Sequence, residues 1–273
     1  MKRGARVRYD AACMSPRLLV LVLCLPALAL AAAPRPRIVI DPGHGGTQHG
    51  AQGPDGLLEK ELALQVARRV GALLTAAVGA EVLLTRERDV NVPLAERVQT
   101  AVRGQADLFL SIHANSMPTQ RLRARTEGIE TFFLSAAASG EGARATADRE
   151  NAEAPASRAK HTGSTLSFIL ADLARTEAHA DSSRLAYLVH QRLIAGTGAP
   201  DRGVQQAPFF VLTGVDVPAI LIEVGFISHP AEAKRLSAPG YQEKLALAIA
   251  EGVQAYLSQL QKREARERSV AMP

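Results

Sequence analysis

Cysteine is nearly missing from this chain: among 273 residues only Cys13 and Cys24 carry a thiol, and both lie within the first 33. Beyond Ala33 nothing is left for disulfides, thiolate catalysis or thiolate metal sites. Tryptophan is absent and aromatics make up 4% of the chain, which leaves no stacking platform for single-stranded nucleic acid. Surplus charge is local. The whole chain carries +5, but Lys2, Arg3, Arg6, Arg8 and Arg17 against Asp10 account for +4 of it, leaving +1 for residues 34–273. A nearly neutral body is not the electrostatic footprint of a nucleic-acid binder, so no nucleic-acid partner is expected. A hydrophobic run long enough for a comfortable membrane span is also lacking. Residues 18–30 (LLVLVLCLPALAL) are apolar but interrupted by Pro26, and a spanning helix needs about 20 apolar residues.

What the first 33 residues do contain is an export signal. A basic stretch ending at Arg17 precedes the apolar run, and Ala31-Ala32-Ala33 satisfies the small-x-small rule for cleavage. Residues 1–33 are therefore expected to be a signal peptide, with Met14 opening a more compact version of the same signal. Leu23 before Cys24 is too bulky for a lipid-attachment box, so no permanent membrane anchor is expected. The remaining chain would act outside the inner membrane, in the periplasm or cell envelope.

With 47% hydrophobic and 22% charged residues, the rest can bury one sizeable core. Short apolar runs at 37–41, 81–85, 107–112, 128–134, 209–212 and 219–222 read as strands. Helical spacing of apolar residues marks 59–77, 93–103, 183–194 and 241–260. Alternation of the two predicts an α/β fold: a three-layer domain over residues 34–262, with a mainly parallel, mixed sheet flanked by helices. Residues 135–180 interrupt the rhythm and read as a surface insertion. Its first part, EGARATADRENAEA, has helix formers but few core residues, and its second, TLSFILADL at 165–173, is amphipathic enough to dock. Residues 263–273 read as a charged, solvated helical tail.

Chemistry concentrates at the strand ends, where ligands gather in this class of fold. Asp41-Pro42-Gly43-His44-Gly45-Gly46 follows the first strand, and Ser111-Ile112-His113-Ala114-Asn115 closes another. Two imidazoles at one edge of a sheet point to a metal. Glu59 opens the first long helix, within reach of both. Together His44, Glu59 and His113 would form a three-ligand zinc site with an open position for water. Glu61 is the local competitor, but it lies two residues on and faces away from Glu59. Glu223 ends the apolar run PAILI and is the candidate general base. Each has a structural alternative: a turn histidine, a helix-start carboxylate favoured by the macrodipole, a buried carboxylate paired with arginine. His49, His161, His179, His190 and His229 read as surface or packing residues, and Asp41 and Asn115 as candidates for orienting the ligands.

D-P-G-H-G-G at 41–46, E-K at 59–60, S-I-H-A-N at 111–115 and E-V-G-F-I-S at 223–228 together resemble the zinc-dependent N-acetylmuramoyl-L-alanine amidases, over about residues 38–257. The resemblance implies one Zn2+ held by His44, Glu59 and His113, with Glu223 as catalytic acid/base. It implies hydrolysis of the amide between N-acetylmuramic acid and the L-alanine of the peptidoglycan stem peptide, in wall remodelling or cell separation. It further implies that Glu150, in Arg149-Glu150-Asn151, is an autoinhibitory glutamate occupying the open zinc position until an activator protein displaces the insertion. Two other readings stay open at this point: a noncatalytic wall-binding module of the same fold, and a zinc exopeptidase acting on free stem peptides.

Overall fold

Unbroken apolar runs such as Ile38-Val39-Ile40 and Ala219-Ile220-Leu221-Ile222 suit strands covered on both faces. The computed structural model, which describes residues 35–153 and 177–271, sets them in the middle of a sheet. Its described strands are β1 (Arg37–Pro42), β2 (Glu81–Leu84), β3 (Leu108–Asn115), β4 (Ile129–Leu134), β5 (Asp201–Ala207) and β6 (Ala219–Phe226), in the order β2-β1-β3-β6-β4-β5. Their pairings are parallel except for β4 against β6, which is antiparallel. The described helices are α1 (Glu59–Val78), α2 (Leu94–Arg103), α3 (Gln120–Arg123), α4 (Glu141–Asn151), α5 (Glu177–Thr197), α6 (Pro230–Ser237) and α7 (Pro239–Ala271).

The pleat divides the strand residues between two cores. Ile38, Ile40, Leu110, Ile112, Ile220 and Ile222 join the side chains of α1, α5 and α7 on one face. Val39, Phe109, Phe132 and Leu221 meet α2, α4 and the 3-10 turn Phe210–Leu212 on the other. Each fully buried Ile, Leu or Phe contributes roughly 1.5–3 kcal/mol over its exposed state, so the central strands are held rigidly. The three-layer expectation is therefore met. Register then fixes the chemistry: His113 on β3 lies directly beside Glu223 on β6, and the same parity turns both toward the face that carries α4.

Three assignments differ from the sequence reading. Residues 209–212 are not a strand; Phe209 is buried just before the 3-10 turn, and Val211 and Leu212 are buried within it. The sheet edge is instead β5, whose sequence DRGVQQA is mostly exposed or half-buried and so carries little apolar signal. Helix α6 went unread, although Pro230 stands in its first turn and His229 Nδ1 accepts from Glu232 N at its start. The third difference is α4. Read as a surface segment with too little apolar content, it contributes Ala143 and Ala147, 1% and 0% exposed, to the second core. Small side chains let the helix backbone approach closely, and buried area comes from the sheet rather than from the helix. The charged residues from 263 onward are helical and mostly exposed, continuous with α7 to Ala271. Residues 1–33 and the docking segment at 165–173 lie outside the described residues. No described helix is long and apolar enough to cross a membrane.

Candidate metal centre

His44 sits two residues past β1 with φ at 59°, a left-handed conformation that is uncommon outside glycine. Surrounding bonds hold it there. Arg97 Nη2 donates to His44 O at 2.6 Å, while Arg97 Nη1 donates to Pro42 O and to Asp41 Oδ1, both at 2.7 Å. Arg86, also buried, donates to Pro42 O, Gly43 O and Lys60 O. Lys60 Nζ reaches Gly46 O at 2.8 Å. Gly43 is required by proximity, since a Cβ there would lie 2.3 Å from the His113 ring. Gly50 is required twice over: its φ is +66° and a Cβ would fall 2.6 Å from Glu59 Oε2.

Asp41, a candidate for orienting the ligands, accepts from Arg97, the same guanidinium that bonds His44 O. Burial works against charge on Asp41, yet Arg97 and Thr85 outweigh it and hold the carboxyl below its ordinary 3.8. The pair's stabilisation is thus complete above that pH and is lost as pH falls through the depressed value. Replacing Arg97 with methionine removes the charge partner of buried Asp41 and the donor to the carbonyls of Val92 and His44, so urea denaturation at neutral pH should show a loss of about 3–5 kcal/mol. An unchanged midpoint would contradict this role.

Glu59 opens α1 and is 1% exposed. Its Oε2 accepts from Ala51 N at 2.8 Å, and its Oε1 accepts from Ala114 N at 3.1 Å. The same Oε1 lies 2.9 Å from His44 Nε2 and 3.0 Å from His113 Nδ1. Glu61, the rejected alternative, is exposed. Glu150 completes the group from α4, with Oε2 3.3 Å from His44 Nε2 and 3.0 Å from His113 Nδ1. Its arrival follows from helical spacing: Ala143, Ala147 and Glu150 fall on one face, so seating the alanines in the core drives Glu150 into the cluster.

One atom each from His44, Glu59, His113 and Glu150 lies within 4.8 Å of the others, and all four residues are buried. His44 Nε2 and Glu150 Oε2 are buried without a hydrogen-bond partner. Two carboxylates and two imidazoles with unpaired atoms facing one point can hold a metal ion, and the donor types and four-fold number suit Zn2+. The two carboxylates set a field that favours positive charge on the imidazoles between them. Burial opposes charge on His113, but Glu150 and Glu59 push it up to about 10, and Glu59 beside His44 drives that imidazole up as well. Glu59 itself, despite burial, is held down at about 2 by His44.

Glu223 stands apart from this group. It is fully buried, neither carboxylate oxygen has a hydrogen-bond partner, and Arg149 Nη2 approaches Oε1 at 3.5 Å. Burial and the neighbouring Glu150 charge raise its pKa well above the ordinary carboxylate value. Arg149 also bonds Asn115 Oδ1 and Ser116 O at 2.9 Å, and Glu150 Oε1 at 3.0 Å. Asn151 fixes α4 from the other side, donating to Pro208 O and accepting from Phe210 N, both at 2.8 Å. An open cleft of about 1220 Å³ leads to the cluster, lined among others by His44, Glu59, Arg123, Arg149, Glu150 and Glu153. His190, read as a packing residue, is buried between Thr131 and Asp201.

Sequence reasoning missed Arg86, Arg97 and Glu153, and named Arg149 only as part of the motif around Glu150. Only Arg97 left a legible trace: it occupies the buried stripe of α2 between Leu94, Val98 and Ala101, where a charge must have partners.

Fold and site together define an α/β domain carrying a buried, metal-competent cluster at the carboxyl ends of its strands. Residues 38–255 match the family model for N-acetylmuramoyl-L-alanine amidase. The chain is 35% identical over 222 residues to N-acetylmuramoyl-L-alanine amidase AmiA of Escherichia coli K12, covering 80% of this chain and 75% of that one. It is 35% identical over 224 residues to AmiC of Neisseria meningitidis, covering 82% of this chain but 53% of that one, so it spans about half the length of this relative. Among solved structures, AmiC2 of Nostoc punctiforme is 29% identical with a TM-score of 0.63, covering 82% of this chain and 98% of that one. The chain belongs to the N-acetylmuramoyl-L-alanine amidases, a family of hydrolytic enzymes.

Proposed function

We propose that this chain is a zinc-dependent amidase that cleaves the bond between N-acetylmuramic acid and the L-alanine of the peptidoglycan stem, and that α4 holds it inactive until a partner displaces it. The observation that carries the reading is the convergence of His44, Glu59, His113 and Glu150 on one point, with the buried Glu223 carboxylate next to His113 in the β3–β6 register.

His44 Nε2, Glu59 and His113 Nδ1 would hold the ion. Zinc in such a site supplies a Lewis acid that polarises a carbonyl and acidifies water. The chain's own part begins with Glu223, whose carboxylate takes the proton from the attacking water and returns it to the alanine nitrogen as the C–N bond breaks. Its neighbours in β3 and β6 keep it dry, and the β3–β6 register keeps it beside His113. The peptide N–H groups of Ala51 and Ala114 fix Glu59 so that it need not reorganise during turnover.

With α4 seated, Glu150 stands beside both imidazoles, where it would hold the ion together with His44, Glu59 and His113, and Arg149 approaches Glu223 from the cleft. Neither water nor substrate can then reach the reacting groups. Activation is a shift of this two-state element, by a protein that binds the displaced insertion. Glu150→Ala should raise basal turnover, up to about 100-fold if the seated state holds about 99% of the population; an unchanged basal rate would contradict the block. Export as a signal-peptide-bearing precursor, to the periplasm or cell envelope, fits a peptidoglycan substrate. Residues 34–262 would form the catalytic domain.

Mass spectrometry of a digested disaccharide-peptide tests the reaction. The reading expects an intact disaccharide and a stem peptide beginning at L-alanine. Trimming within free stem peptide would identify an exopeptidase, and zinc-loaded, Glu150→Ala protein that bound wall without product would identify a binding module.

A further inference from the structure

Glu153 lies two residues beyond α4, and its Oε1 is 2.6 Å from Nδ1 of His44. This is the sole hydrogen bond or ion pair described for Glu153. Nδ1 is the ring nitrogen that does not face the cluster; Nε2 is the atom beside Glu59 and Glu150. One imidazole therefore stands between two carboxylates of the same inserted segment, three residues apart, with Glu150 on the cluster side and Glu153 behind. Glu153 is placed too far round the ring to share an ion with Nε2. Both side chains are largely buried, 7% exposed for His44 and 14% for Glu153.

We propose that Glu153 is a positioning residue for the metal centre. It accepts the Nδ1–H of His44, fixes the tautomer whose Nε2 lone pair faces the cluster, and so makes zinc affinity depend on the seated insertion. The inference rests on the zinc reading above and adds a coupling to it. A carboxylate on the far nitrogen of a metal-binding histidine sets ring orientation and strengthens the ligand. Here that carboxylate belongs to the segment that must leave for activity. Unseating the insertion then withdraws one ligand, Glu150, and the support of another, His44. By reciprocity, bound zinc favours the seated insertion to the same extent that seating favours zinc. The ion would thus act as a clamp on the inactive state as well as a participant in the active one.

The test is titration of the metal-stripped chain with Zn2+ against a chromophoric chelator. Glu153→Ala should weaken zinc binding about 10–100-fold, and Glu153→Gln, which accepts the N–H without a charge, should weaken it less. The rise in Tm on adding zinc, measured for each protein against its own metal-free form, should shrink for Glu153→Ala and less for Glu153→Gln. With 15N-labelled histidine, the zinc-loaded wild type should show an exchange-protected His44 Nδ1–H signal that Glu153→Ala abolishes. Equal zinc affinity across wild type and both variants would overturn the proposal and leave the zinc reading standing. Weakened binding with the Nδ1–H signal intact would also overturn it, because Glu153 would then act other than through His44. A wild-type chain that bound no zinc would overturn both.

Discussion

Glu223→Gln should lower kcat by about 10²–10⁴-fold, the usual contribution of a positioned acid/base, with KM and zinc content unchanged. Glutamine preserves the shape of the side chain but can neither take a proton from water nor deliver one to the departing alanine nitrogen. The measurement belongs in the Glu150→Ala background, where the site is free to turn over. Position alone makes Glu223 the candidate: β6 delivers it, fully buried, beside His113. Burying a carboxylate without hydrogen bonds costs stability, and here neither oxygen has a hydrogen-bond partner, Arg149 approaching only to 3.5 Å. If kcat fell less than tenfold, some other group would be moving the proton.

Removing the metal should have a comparably large effect, read in two ways. Chelation should abolish turnover and lower Tm, and added zinc should restore both. A ligand that binds only the folded state stabilises it by about 2.7 kcal/mol at 100 times its Kd, so the rise in Tm must scale with zinc concentration. His113→Ala should remove both responses together, because His113 Nδ1 meets Glu59 and Glu150 and holds the cluster together. Retained zinc-dependent stabilisation in that variant would show that the ion sits elsewhere. Among the described residues the cluster of His44, Glu59, His113 and Glu150 is the metal-competent group.

Strand ends were the legible part of this molecule. Central parallel strands announce themselves by apolar runs, and the polar residues that terminate them stand out for that reason. His44, His113 and Glu223 were readable on this basis, and Glu59 by its place at the start of a strongly periodic helix. Edge strand β5 was not readable, because an edge faces water and its side chains are polar. Helix α4 misled for a related reason: its buried stripe is alanine, threonine and glutamate, which no apolar count distinguishes from a solvated helix. Arg86 and Arg97 escaped notice because their task is to satisfy backbone carbonyls of the loop around His44, and nothing in a one-dimensional pattern names the acceptor. Glu153 was invisible for the same cause: its meaning depends on which nitrogen of His44 it meets. Glu150 came from resemblance, and the geometry now gives it a physical setting between two imidazoles.

End-group analysis of purified peptidoglycan digested by the zinc-loaded Glu150→Ala protein tests the central claim most directly. The account predicts new N-terminal alanine, no new reducing sugar ends, and loss of the product when Glu223→Gln is added. New reducing ends, or N-terminal alanine exposed equally well without Glu223, would contradict it.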